Sequence, residues 1–218
     1  MARAGETIEN PVTRERVVFL ATAQETNGEL LRVEHVFAPG GSVPAAHLHP
    51  HQVERFEVLS GSPRFRIGDE EQTARPGDLV AVAARTPHTW WNAGDDETRV
   101  LIEFRPALRT EEIFEIFFAL GRDGRLNKRS VPNPFLGAVI AREFEQEANV
   151  APSKEILLTR LPPPLIRLLI EFLAPVGRLL GYPGLLRRYS TRSVGAGENP
   201  DIPIDHDEVA DLEETARE

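Results

Sequence analysis

The stretch Gly41-Ser42-Val43-Pro44-Ala45-Ala46-His47-Leu48-His49-Pro50-His51-Gln52-Val53-Glu54-Arg55-Phe56-Glu57-Val58-Leu59-Ser60-Gly61 holds three of the chain's six histidines within five residues. Glu54 follows, and glycines mark both ends. Imidazole and carboxylate ligands suit a first-row transition metal. Residues two apart share a face of a strand, so His47, His49 and His51 would all point one way in a regular strand. Pro50 cannot donate to a ladder and argues against a regular central strand beyond His49. Val53 to Leu59 alternates, with Glu54, Phe56 and Val58 on one face. A carboxylate on an apolar face needs a partner, and a metal would be one. Spacing alone permits His47, His49 and Glu54 as ligands, with His51 as a rival.

Outward from this stretch the chain reads as short strands. Arg16 to Gln24 and Leu30 to Ala38 flank Thr26-Asn27-Gly28, an Asn-Gly hairpin signal. Arg64 to Ile67, Leu79 to Ala83, His88 to Asn92 and Thr98 to Phe104 follow, separated by Gly-, Pro- and Asp-containing turns. Turn signals every eight to twelve residues predict a sandwich or barrel over residues 12–106. Residues 1–11 read as an N-terminal arm, with irregular chain continuing to residue 15.

After Arg105 the period becomes helical. Thr110 is the expected N-cap of a helix with Glu111 and Glu112 in its first turn and Gly121 at its end. Asn133-Pro134 is a cap and first-turn pair for a helix over Phe135 to Ala148. Pro162-Pro163-Pro164 opens a third helix over Leu165 to Leu173, which Pro175 is expected to kink or interrupt before Val176 to Leu180. Leu185 to Tyr189 adds a last turn. Residues 107–190 thus form a helical extension. Residues 191–218 are Gly-, Pro- and acid-rich without an apolar face, and read as a disordered acidic tail.

The chain has 218 residues, no cysteine and a net charge of −9. The tail carries nine acids against two arginines, leaving residues 1–190 nearly neutral. Nothing here makes a phosphate-binding surface, so nucleic acid is excluded as a partner. Without cysteine there is no thiolate ligand or nucleophile. The polar N-terminus lacks the apolar run of a signal peptide, so a soluble, cytoplasmic protein is expected. Leu165 to Leu180 contains Arg167, Glu171, Pro175 and Arg178, too short and charged to span a bilayer. Packing on the barrel or on a second subunit is expected of it rather than membrane binding.

The pattern G-x5-H-x-H-x4-E-x6-G from Gly41 to Gly61 resembles the first motif of the cupin superfamily at every fixed position. The second motif, G-x5-P-x-G-x2-H-x3-N, is matched by Gly77, His88 and Asn92, with Ala83 and Arg85 replacing its proline and second glycine. The chain resembles single-domain type-2 cupins with a helical C-terminal extension. The resemblance implies a mainly β fold: a jelly-roll β-barrel enclosing a divalent transition metal, which can be Fe, Mn, Ni, Cu or Zn. It implies the ligands His47, His49, Glu54 and His88, and leaves His51 outside the pattern, at the barrel mouth. Arg85 would strain its turn if that turn needs positive φ. Phe56, Val58 and Phe65 read as core. One of Trp90 and Trp91 at most faces inward, and His35 reads as structural.

The expected function is a metal-dependent, dioxygenase-like enzyme acting on a small organic molecule, aromatic or ketonic rather than highly charged, with Glu54 able to double as a base. The alternative is a non-enzymatic small-molecule binding or sensing protein. A membrane-peripheral role led by the helices ranks third. A homodimer is the expected assembly.

Overall fold

The computed structural model describes residues 2–43, 45–128, 130–151 and 161–190. The expected disordered tail, 191–218, lies outside the described residues. Two antiparallel sheets face each other as a jelly roll. One has the order β1(Thr7–Asn10), β2(Glu15–Ala21), β3(Leu31–Phe37), β10(Thr98–Arg105), β5(Val53–Ser60), β8(Leu79–Val82). The other has the order β11(Asn149–Val150), β4(His47–Leu48), β9(His88–Asn92), β6(Pro63–Ile67), β7(Glu70–Thr73).

The alternation seen in the sequence sets what the sheets bury. On β5, Glu54, Phe56 and Val58 point inward, and on β3 so do Leu31, Val33, His35 and Phe37. Phe56, Phe65 and Trp90 meet between the sheets, with Phe65 and Trp90 stacked at 5.9 Å. Trp90 is buried and its neighbour Trp91 is half-buried, as pleat alternation requires.

Some expectations are corrected at the edges. The N-terminal segment is not irregular throughout: Thr7–Asn10 pairs with β2 and widens the first sheet. The β2–β3 connection is longer than a two-residue hairpin. Asn27 and Gly28 do take positive φ, but the pairing resumes only at Ala21 and Arg32. The Thr26 hydroxyl bonds the carbonyls of Thr22 and Leu30 and holds the wider loop together. The strand Glu70–Thr73 is fully exposed at a sheet edge, so its charged, non-alternating sequence gives no strand signal.

The helices are α1(Thr110–Arg122), α2(Pro134–Glu143), α3(Pro163–Leu179) and α4(Tyr182–Tyr189). Thr110 does not cap α1. Arg109 takes the cap position, and the buried Thr110 hydroxyl donates to Gln52 instead. The Gln52 amide also donates to the carbonyls of Pro106 and Ala107, which ties the motif stretch to the start of α1. Gly121 lies inside α1. A Cβ there would come within 2.3 Å of Asn10 Oδ1, so the glycine lets β1 lie against the helix. Asn133 caps α2 as expected, accepting from the Leu136 amide at 3.1 Å, but α2 ends at Glu143. Pro175 does not interrupt α3. It faces solvent, where water can satisfy the Glu171 carbonyl that loses its donor. Gly177 brings α3 onto α2, because a Cβ would lie 2.6 Å from both the Phe135 carbonyl and Val139.

The outer face of α3 is apolar and open: Phe172 is 75% and Leu179 89% exposed, with Leu168 and Leu180 beside them. No described helix is long and apolar enough to cross a membrane.

Candidate metal centre

Three strands bring the motif residues together. His47 is on β4 with His49 just after it, Glu54 is the second residue of β5, and His88 begins β9 opposite His47. The turn before His88 is closed by a hydrogen bond from the Thr86 amide to the Ala83 carbonyl. Arg85 adopts φ 66° there, so this turn does use the left-handed conformation with an arginine in the glycine position. The Arg85 amide donates to the His49 carbonyl at 2.7 Å and locks the two motifs together.

One ligand atom from each of His47, His49, Glu54 and His88 lies within 4.8 Å of the others. All four predicted site residues therefore converge. His51 is exposed and outside the cluster.

The histidines are oriented by the backbone. Each Nδ1–H faces a carbonyl: Ala45 at 3.1 Å for His47, Glu147 at 2.6 Å for His49 and Thr86 at 3.0 Å for His88. A carbonyl can only accept, so each Nδ1 carries the proton and each Nε2 is left to face the centre. Sequence reasoning missed the Glu147 carbonyl, because it comes from beyond the barrel, just after α2, and a backbone acceptor has no residue signature.

The electrostatics of the cluster centre on Glu54. Glu54 Oε2 lies 2.7 Å from His88 Nε2 and 3.2 Å from His49 Nε2. The second contact is not aligned as a hydrogen bond, and buried His49 Nε2 has no hydrogen-bond partner among the described residues. Burial works against the charged form of Glu54, but the charges of His88 and His49 outweigh it and hold its carboxyl well below the usual range. Burial likewise works against charge on His88, and the Glu54 carboxylate overrides it, holding that imidazole above its ordinary value. His47 is pushed down to about 3, by burial first and then by the neighbouring imidazoles. The metal-free cluster thus favours a proton on His88 beside Glu54 and a neutral His47. A divalent ion would satisfy all four ligand atoms together, and three imidazoles with one carboxylate are a donor set that iron, manganese, nickel, copper and zinc all accept.

The cluster forms part of the wall of a cavity of about 840 Å³. Trp90, Ile102 and Phe104 line its barrel side. The opposite wall is helical: Phe114 and Phe118 of α1, Ile140 of α2, and Ile166, Leu169 and Leu173 of α3. The helical extension therefore packs on the barrel and walls the space beside His47, His49 and Glu54. Asn10, Glu15 and His35 also line it, so His35 is a cavity residue as well as a packed one.

The model of the cupin domain family matches residues 33–103, the segment that carries β3 to β10 and all four ligand atoms. Residues 33–103 form a cupin domain. An oxidoreductase of Arthrobotrys oligospora is 28% identical over 125 residues, covering 50% of this chain and 49% of that protein. The chain therefore spans about half the length of this curated relative. Among solved structures, KdgF from Halomonas sp. is 21% identical, with a TM-score of 0.38, covering 42% of this chain and 78% of its own. A predicted oxalate decarboxylase from Thermotoga maritima is 19% identical, with a TM-score of 0.42, covering 49% and 98%. An RmlC-like cupin from Shewanella frigidimarina is 18% identical, with a TM-score of 0.42, covering 51% and 94%. In this chain the cupin domain continues into helices that wall its cavity.

Proposed function

We propose that this protein is a metal-dependent oxidoreductase, dioxygenase-like, acting on a largely apolar organic molecule. The observation that carries the reading is the convergence of three imidazoles and one carboxylate in a cluster of which His47, His49 and Glu54 line a large apolar cavity. His47, His49, Glu54 and His88 would hold the ion. A bound ion would supply Lewis-acid polarisation of a substrate oxygen or redox chemistry. The carbonyls of Ala45, Glu147 and Thr86 keep the three rings aimed. Glu54 acts as the anionic ligand. As the one carboxylate of the cluster it is also the candidate base. Trp90, Phe104 and Phe114 exclude water and favour an aromatic or aliphatic body over a charged one. The oxidoreductase relative supports this reaction class.

The protein, loaded in turn with iron, manganese, nickel, copper or zinc, is offered flavonols, catechols and 1,3-diketones while oxygen consumption is followed. Turnover with one metal, lost in His47→Ala, supports the enzyme. Binding without turnover across the panel assigns a binding or sensing protein instead.

A homodimer through the outer face of α3 belongs to the same proposal. The face is apolar, while Arg167, Arg178 and Glu171 place both charge signs on the helix and the chain's net charge of −9 opposes anionic lipid.

A further inference from the structure

Glu15 and His35 form a second polar group in the wall of the same cavity, outside the metal cluster. Both are buried, at 6% and 4% exposure. His35 Nε2 lies 3.2 Å from Glu15 Oε2. The other carboxylate oxygen, Glu15 Oε1, is buried and has no hydrogen-bond partner among the described residues. The rest of the surroundings are aromatic: the His35 ring lies 4.3 Å from Phe37, 5.6 Å from Trp90 and 5.8 Å from Phe114. A buried acceptor left unpaired costs on the order of 1–3 kcal/mol and normally finds a partner.

The sheet register sets this pair's distance from the metal cluster. His35 lies opposite Val100 on β10, and Glu54 lies opposite Phe104 on the other side of β10. Four residues along the strand and two strands across put the two backbones roughly 16 Å apart. Both side chains point inward, and Phe104, Phe114 and Ile102 line the cavity they share. The cavity therefore has a polar group at each of two separated places, with apolar wall between them.

We infer that Glu15, oriented by His35, is a second anchoring site, and that the ligand is an elongated, mainly hydrocarbon molecule. Such a ligand carries a metal-binding oxygen group at one end and a hydroxyl at the other. The hydroxyl donates to Glu15 Oε1, the buried acceptor that has no other partner among the described residues. The length of the ligand is read by the distance between the two polar groups. This rests on the metal-centre reading above, so the test separates the two.

The probes are straight-chain fatty acids of about 8 to about 16 carbons and their ω-hydroxy counterparts, a range chosen to sample the length of a cavity this size. Each is titrated calorimetrically into the full-length protein, metal-loaded and metal-free. At one chain length the ω-hydroxy acid binds about tenfold more tightly than the plain acid, the increment of one buried hydrogen bond. Glu15→Ala abolishes that ratio, and the isosteric Glu15→Gln reduces it, which keeps the test usable if the alanine variant does not fold. Metal-dependent binding of plain acids with no hydroxyl advantage at any length overturns the second anchor and leaves the metal centre standing. A hydroxyl advantage with absolute affinities that removal of metal leaves unchanged supports the anchor and sinks the metal reading. No binding of any probe to the metal-loaded protein overturns the ligand class.

Discussion

Glu54→Gln in the metal-free protein isolates the electrostatics of the centre. Glu54 is 3% and His88 3% exposed, and their ligand atoms are 2.7 Å apart. Removing one partner of a buried ion pair costs about 3–5 kcal/mol. For a chain of this size each kcal/mol moves the melting temperature by about 2–4 °C, so the variant should melt about 10 °C lower. The signs of the two shifts set the pH at which the loss is greatest. The His88 value is raised in the fold, so its contribution is complete below its unfolded value near 6.5 and is lost as pH rises through the folded value. The Glu54 value is lowered, so its contribution is complete above about 4.5 and is lost as pH falls through the folded value. The difference between wild type and variant is therefore largest between about pH 4.5 and 6.5 and narrows toward pH 9. His47, lowered to about 3, costs stability as pH falls below about 6.5 in both proteins and largely cancels. Urea denaturation in chelator, at pH 5.5, 7 and 9, measures the difference. A loss under about 1 kcal/mol at pH 5.5, or one that does not change with pH, refutes the buried-pair account.

Two further outcomes follow from particular residues. Arg85 holds φ 66° while its side chain is exposed, so Arg85→Gly should relieve the strain and raise stability by about 0.5–1 kcal/mol in urea denaturation. A loss of stability would show that the arginine side chain offsets its backbone cost. Phe172→Glu should shift light-scattering mass from dimer to monomer, because the ring is 75% exposed on the single chain and free to meet a second copy; an unchanged mass removes α3 as the interface.

The centre was legible because its residues are nearly contiguous. His47, His49 and Glu54 fall within eight positions, and strand alternation alone puts Glu54 inward with Phe56 and Val58. His88 needed the second motif, since nothing local marks it as opposite His47. The strands of the core were legible for the same reason, while the exposed edge strand Glu70–Thr73 had no apolar face to reveal it. The Glu15–His35 pair was not legible. Twenty positions separate the two residues, and the β2–β3 register brings Val17, rather than Glu15, opposite His35. Thr110 misled because a long-range partner, Gln52, competes for its hydroxyl with the local cap. The helical extension was visible as helices, but which face of α3 would line a cavity and which would stay open depends on where Gly177 lets it meet α2.

Metal content tests the central claim most directly. Purified protein, reconstituted with each candidate metal and freed of excess, is analysed by mass spectrometry beside His47→Ala, His88→Ala and His51→Ala. The account predicts about one tightly held divalent ion per chain in the wild type and in His51→Ala, and loss of most of it in the other two. Wild-type protein that retains no metal, or His47→Ala and His88→Ala variants that retain as much as wild type, would contradict it.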